Sequence, residues 1–355
     1  MGQLVTELLA AEHEVQLFVA PIDYESQQIR ELAGHGARIQ RLPDPERQYV
    51  KLRRLRRHLD RVTGRAQRLL SMVCKFGPDH IFVNQGGTWC AGDEPFREVL
   101  SKYPKRYSLL CHSSGNEGAL DGERWRRADD LAGNAAKVFF NSRWLKACAE
   151  KEIRRGIPNA GYFQISPGPQ FQLTPWPAPT EEARLAMVTR LDCNVKGIDL
   201  VVEAMTQVNR ERLRARVDIY GDGSDKERLQ QLVYEAGERA GIRLMGEVRD
   251  VSEVWRDHEL LLMPSRTEGL GLAMLEAMSC GRPVLRTPYG GAEEWMEDGR
   301  NGYVCPAPEV SLLLETLKRA LAEREHWPEM GRRAHEKVKA NLDPDPGRVF
   351  LEALR

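Results

Sequence analysis

Apolar and polar positions along the chain follow two periods. Short apolar runs recur, separated by longer stretches with an apolar residue every three or four positions. In the first half the runs at 14–20 (EVQLFVA), 38–42 (RIQRL), 80–84 (HIFVN), 107–111 (YSLLC) and 136–141 (AKVFFN) predict strands. In the second half 185–189 (LAMVT), 217–220 (VDIY), 242–245 (IRLM), 260–263 (LLLM), 283–285 (PVL) and 303–304 (YV) do the same. Helical spacing covers 4–11, a stretch from Trp144, 226–240, 252–257, 272–280, 310–322 and 327–341, and residues 348–355 form a closing segment. Strands that alternate with helices predict an α/β fold with parallel sheets.

Two stretches break this rhythm. Residues 166–179 (SPGPQFQLTPWPAP) are proline-rich and predict an irregular linker. They divide the chain into a first domain at 1–172, a second at 173–340, and a segment at 341–355. Residues 46–76 place Leu52, Leu55, Leu59, Val62, Ala66, Leu69 and Val73 on one helical stripe, with Arg53, Arg57, Arg61 and Arg65 off it. That pattern fits a solvated domain helix. It also fits a basic amphipathic face in peripheral contact with anionic lipid or an anionic acceptor.

Composition narrows the class. At 355 residues each of two domains can bury its own core. The formal net charge of zero argues against nucleic acid as a main partner. Seven scattered cysteines with no CxxC pair fit a reducing compartment. No apolar run approaches the roughly 18 residues of a membrane span, so a cytoplasmic protein is expected.

The chemistry concentrates in PSRTEGLGLAMLEAMSCGRPVL, which begins at Pro264. A buried strand ends at Pro264-Ser265. A loop, Glu268-Gly269-Leu270-Gly271, leads into a helix, and another strand follows. A helix N-terminus offers unpaired N–H groups and partial positive charge to an anion. Glu268 lies before the helix and Glu276 inside it. Both are carboxylates suited to accept hydrogen bonds from hydroxyls, or else solvated charges. Upstream, Arg190 and Lys196-Gly197 follow a strand end in RLDCNVKG, where two cations can neutralise a diphosphate or else form a solvated loop pair. His112 follows the strand at 107–111. Gly221-Asp222-Gly223 falls short of a full GxGxxG, so a nicotinamide site has little support.

The Glu268-to-Glu276 spacing, within the surrounding motif, resembles the signature of retaining GT-B glycosyltransferases of family 4. The resemblance is strong from about residue 185 to 306. It implies two Rossmann-like, doubly wound domains facing across a cleft. It also implies transfer of a sugar from a nucleoside-diphosphate sugar to an acceptor carbohydrate, lipid or small molecule, with retained anomeric configuration. No cofactor or metal is implied. Arg190, Lys196 and the loop Gly269, Leu270 and Gly271 would stabilise the diphosphate. Glu276 would hold the donor ribose, and Glu268 and His112 would contact the transferred sugar. The loop after residue 245, at Val248 and Arg249, would hold the base through backbone contacts. The stretch GQLVTELLAAEHEV looks like the family's first helix and second strand, with the first strand missing. A shortened form of a longer protein is therefore expected. Two alternatives stay open: a non-catalytic sugar-nucleotide binder, and a GT-B epimerase or phosphorylase.

Overall fold

The apolar runs form strands, and every ladder among the described residues is parallel. The computed structural model describes residues 2–19, 27–41, 65–93, 96–114, 119–343 and 345–352. The chain divides into two units, Met1–Phe163 with Pro344–Arg355, and Gln164–Asp343.

The first unit runs α1 (Gly2–Ala10), β1 (Gln16–Val19), α2 (Gln27–Gly34), β2 (Arg38–Arg41), α3 (Arg65–Phe76), β3 (Ile81–Gly87), α4 (Phe96–Leu100), β4 (Tyr107–Ser113), α5 (Gly122–Asn134), β5 (Lys137–Phe140), α6 (Arg143–Ile153) and β6 (Ala160–Tyr162). Its strands make two sheets, a β1-β2 pair and the order β3-β4-β5-β6. Among the described residues no ladder joins them. Leu109, Cys111, Val138 and Phe140 pack on Leu131, Leu145, Ala149 and Ile153 to form the core. Ser142 caps α6 by accepting from the Leu145 N–H at 3.1 Å. In α3, Leu69 and Val73 are buried against Val99, whereas residues 46–64 of the expected basic helix lie outside the described residues.

Two strand ends differ from expectation. β3 continues through Gln85-Gly86-Gly87, beyond the end expected at residue 84, and β4 continues through His112 and Ser113. The ladder itself extends them, pairing Gln85 with Cys111 and Gly87 with Ser113. Gln85 is buried, and its amide donates to Thr88 O and accepts from the Ala91 N–H.

The second unit runs β7 (Ala183–Val188), α7 (Cys193–Lys196), α8 (Ile198–Arg210), β8 (Ala215–Tyr220), α9 (Lys226–Ala236), β9 (Ile242–Gly246), α10 (Val251–Asp257), β10 (Leu260–Met263), α11 (Leu272–Ser279), β11 (Val284–Arg286), β12 (Gly302–Val304), α12 (Val310–Ala322) and α13 (Trp327–Asn341). The sheet order is β12-β11-β10-β7-β8-β9. Along β7, Leu185 and Met187 join one core with α8 and α12, and Ala186 joins the other with Trp255, Met274 and Met278. This alternation buries both faces of the sheet.

The units divide at 163/164 and 343/344 rather than at 172/173 and 340/341. Gln164 explains the shift: its side chain donates to Asn341 O at 2.9 Å and accepts from the Asp343 N–H at 2.5 Å. Phe171 is buried in the second unit's core, and Arg282 donates to Thr174 O and Pro175 O. Helix α14 (Arg348–Glu352) belongs to the first unit, where Phe350 meets Phe139 with ring centroids 5.2 Å apart.

Candidate active site

The second unit's sheet order places β7 and β10 side by side at its centre, paired through Leu260–Leu185 and Leu261–Ala186. Connections from β7 lead toward β8 and β9, and those from β10 toward β11 and β12. This reversal is a topological switch point, and ligands of doubly wound sheets bind outside the strand ends there. The loop after β7 holds Arg190 and Lys196, and the loop after β10 holds Glu268. The fold thus gathers residues about 70 positions apart in sequence.

Lys196 Nζ donates to Glu268 Oε2 at 2.7 Å, and Ser265 Oγ donates to the same oxygen at 3.1 Å. Lysine has three donors, so the pair leaves Lys196 further N–H groups for an anion. Arg190 is largely exposed, and its Nη2 lies 3.2 Å from Asp192 Oδ2. Several contacts fix the two loops together. The Arg266 N–H donates to Val195 O at 2.8 Å. The Arg266 guanidinium forks onto both Asp199 oxygens at 2.7 and 2.9 Å and donates to Cys193 O at 2.6 Å. Asp192 caps α7, and Gly197 ends it at φ 65°. A Cβ at Gly197 would stand 2.2 Å from Pro264 O, so the glycine after Lys196 is required by the close approach of the two loops.

Beyond the loop, Gly271 at φ 81° leads into α11. Glu276 sits one turn in and is half-buried. Its carboxylate makes no hydrogen bond or ion pair with any of the described residues. Burial pushes its carboxyl up to about 7. A shielded, unpartnered carboxylate is a ready acceptor for ligand hydroxyls. The turn at Gly290 and Gly291 closes over the loop, and a Cβ at Gly290 would fall 1.6 Å from Gly269 O.

Other residues named from the sequence lie apart. Val248 and Arg249 follow β9, two strands from β7 in the sheet order. Val248 packs against the core and Arg249 is exposed. His112 lies in the first unit, at the end of β4. Its Nε2 is 2.5 Å from Asn84 Oδ1, an arrangement satisfied by the Nε2–H tautomer. Burial lowers its imidazole to about 4, so it is neutral near pH 7. Asn141 donates to His112 O at 2.8 Å and fixes the strand end.

Sequence reasoning missed Ser265, Arg266, Arg286, Asn84 and Glu152. Glu152 is buried and accepts from Ser114 Oγ at 2.8 Å and Trp89 Nε1 at 2.7 Å, which ties together the segments after β3 and β4. Among the described residues no three metal-ligating side chains cluster, and no helix is long and apolar enough to cross a membrane.

Comparison with known proteins agrees with this geometry. Residues 182–323 match the family model described as glycosyl transferases group 1. The chain is 35% identical over 202 residues to the GtfA subunit of the UDP-N-acetylglucosamine–peptide N-acetylglucosaminyltransferase of Streptococcus gordonii, covering 55% of this chain and 39% of that protein. It is 32% identical over 157 residues to the lipopolysaccharide glucosyltransferase WaaG of Escherichia coli, covering 43% of this chain and 42% of that one. The chain thus spans about two fifths of the length of these relatives. Among solved structures, sucrose-phosphate synthase of Thermosynechococcus elongatus superposes with a TM-score of 0.78 at 21% identity, covering 99% of this chain and 90% of that one. Anabaena HepE in complex with UDP-glucose superposes with a TM-score of 0.73 at 15% identity, covering 99% and 94%. The fold is GT-B, built from two Rossmann-like units.

Proposed function

We propose that this chain, whose residues 182–323 match the glycosyl transferases group 1 family model, transfers a sugar from a nucleoside-diphosphate sugar to an acceptor hydroxyl with retention of configuration. The observation that carries the proposal is the Lys196–Glu268 pair at 2.7 Å, at the switch point of the sheet and beside the start of α11. Departure of a nucleoside diphosphate builds negative charge. Lys196, Arg190 and the N–H groups from Gly269 to Gly271 supply fixed positive potential where that charge grows. With this counter-charge in place, the transfer we propose uses no resident metal. Glu276 accepts from the ribose hydroxyls, and Glu268 from hydroxyls of the transferred sugar. His112 is assigned to that sugar by the family resemblance, and Val248 and Arg249 to the base. The acceptor is a carbohydrate, lipid or small molecule.

The test has two parts. A thermal-shift screen across UDP, GDP, ADP and their sugars names the base, since a ligand that binds the folded state raises the melting temperature by mass action. Product analysis by NMR, with donor alone and with donor plus candidate acceptors, then reads the anomeric configuration. An inverted product refutes the retaining mechanism, and the absence of any nucleotide response refutes the proposal as a whole.

One observation favours a second reading. The described strands of the first unit form a pair and a separate four-stranded sheet, and among the described residues no ladder joins their edges. A binder that holds the donor without transferring the sugar fits such a unit. Nucleotide binding without turnover on any acceptor would favour it.

A further inference from the structure

Arg286 ends β11 and is 1% exposed. A buried guanidinium normally faces a carboxylate. Here its partners are mainly main-chain carbonyls. Nη1 donates to Leu270 O at 3.1 Å, Nε donates to Thr287 O at 3.1 Å, and Nη2 donates to Tyr289 O. Nη1 also lies 3.0 Å from Met274 Sδ, on α11. One side chain therefore grips the loop before α11, the helix itself and the turn that closes over the loop.

The peptide between Leu270 and Gly271 links this grip to chemistry. A trans peptide points its C=O and N–H in opposite directions. Because the Leu270 carbonyl is turned onto Arg286, the Gly271 N–H points away from Arg286. Among the described residues the N–H groups of Gly269, Leu270 and Gly271 donate no hydrogen bond. Leu270 also buries its side chain at 3% exposure, so the loop is held at both its backbone and its side chain. The nearest acidic residues acting on Arg286 are Glu268 and Glu293, neither of which pairs with it, and burial lowers its guanidinium to about 10. The carbonyl oxygens hold the charge in place, and burial away from water is what lowers it.

We propose that Arg286 is a positioning residue which aims the Gly269–Gly271 N–H groups at the diphosphate of the donor. The inference rests on the reading of the crevice given above. It assigns Arg286 no contact with the ligand. Its effect travels through the loop, so its loss is felt by the diphosphate and not by the nucleoside.

The experiment is isothermal titration of the full chain with UDP and, separately, with uridine, for the wild type, Arg286→Met and Arg286→Lys. The expected result for Arg286→Met is at least a tenfold loss of UDP affinity, with uridine affinity within twofold. Arg286→Lys keeps the charge but not the planar fork, so it recovers part of the loss. The proposal is overturned if folded Arg286→Met binds UDP within twofold of the wild type, or loses UDP and uridine equally. If Arg286→Met fails to melt cooperatively, Arg286→Lys decides. At least threefold weaker UDP binding with uridine unchanged supports the proposal, and wild-type UDP affinity overturns it. A wild-type chain that binds no nucleoside diphosphate overturns the donor reading and this inference together. Wild-type binding with indifferent variants overturns the inference alone.

Discussion

Glu276→Gln separates what the site costs from what it does. The carboxyl is half-buried and unpartnered, and burial pushes it from an ordinary value near 4.5 up to about 7. An acid with a raised folded pKa binds protons more tightly in the folded state than in the unfolded chain. Stability therefore falls as pH rises from about 4.5 to about 7, and stays low above it. A shift of that size corresponds to about 3 kcal/mol. Gln has the same shape and no charge to desolvate. The expected result is a variant that melts like the wild type at pH 4.5. At pH 8 it is more stable by up to about 3 kcal/mol. Urea melts at the two pH values measure this. Titration with UDP-glucose should show the opposite trend, with Glu276→Gln weaker by about tenfold, since it loses charge-assisted bonds to hydroxyls. A stability gain at pH 8 with unchanged donor affinity would show that Glu276 is only a buried charge. No pH-dependent difference in stability would refute the burial argument itself.

Three more outcomes follow from the same geometry. Gly290→Ala places a Cβ 1.6 Å from Gly269 O at φ 71°, so the loop must move. Urea melts should show a loss of at least about 2 kcal/mol, with weaker nucleotide binding. Lys196→Ala removes the partner of Glu268 and the nearest ammonium to the proposed diphosphate. Turnover in a sugar-transfer assay should fall by about a hundredfold or more. In the buried cluster of Asp218, burial alone raises the carboxyl, but hydrogen bonds from His258 Nε2 at 2.9 Å and Arg243 Nε at 2.7 Å outweigh it and hold it far below the usual range. A depressed pKa gives stability that is present above the unfolded value and lost as pH falls. Asp218→Asn should therefore cost about 3 kcal/mol at pH 7, with a gap that narrows below pH 4 in acid melts.

Much of the second unit was legible because its strands are buried on both faces. Such strands read as unbroken apolar runs, and residues 260–263 form β10 with the bounds the run gave. The helices at 310–322 and 327–341 likewise match their periodicity. The first unit was harder to read. β6 is three residues, Ala160–Tyr162, too short to show a period, and β3 runs into two glycines, past the apolar run that marked it. Helix α5 carries polar residues on most of its surface and gave no clear stripe. In the site, Lys196 and Glu268 were visible as residue types in a motif, but their contact depends on sheet order, which no local pattern encodes. Arg266 and Arg286 were invisible for another reason. They act on carbonyl oxygens and on a distant Asp199, and main-chain partners leave no trace in side-chain spacing.

The central claim is that the crevice at the ends of β7 and β10 holds the donor diphosphate, and a crystal structure of the chain soaked with UDP tests it most directly. The diphosphate oxygens are expected within hydrogen-bonding distance of Lys196 Nζ and of the N–H groups at the start of α11, with the ribose against Glu276. A nucleotide seated elsewhere on the chain, with Lys196 still bound to Glu268 and the loop amides untouched, would contradict it.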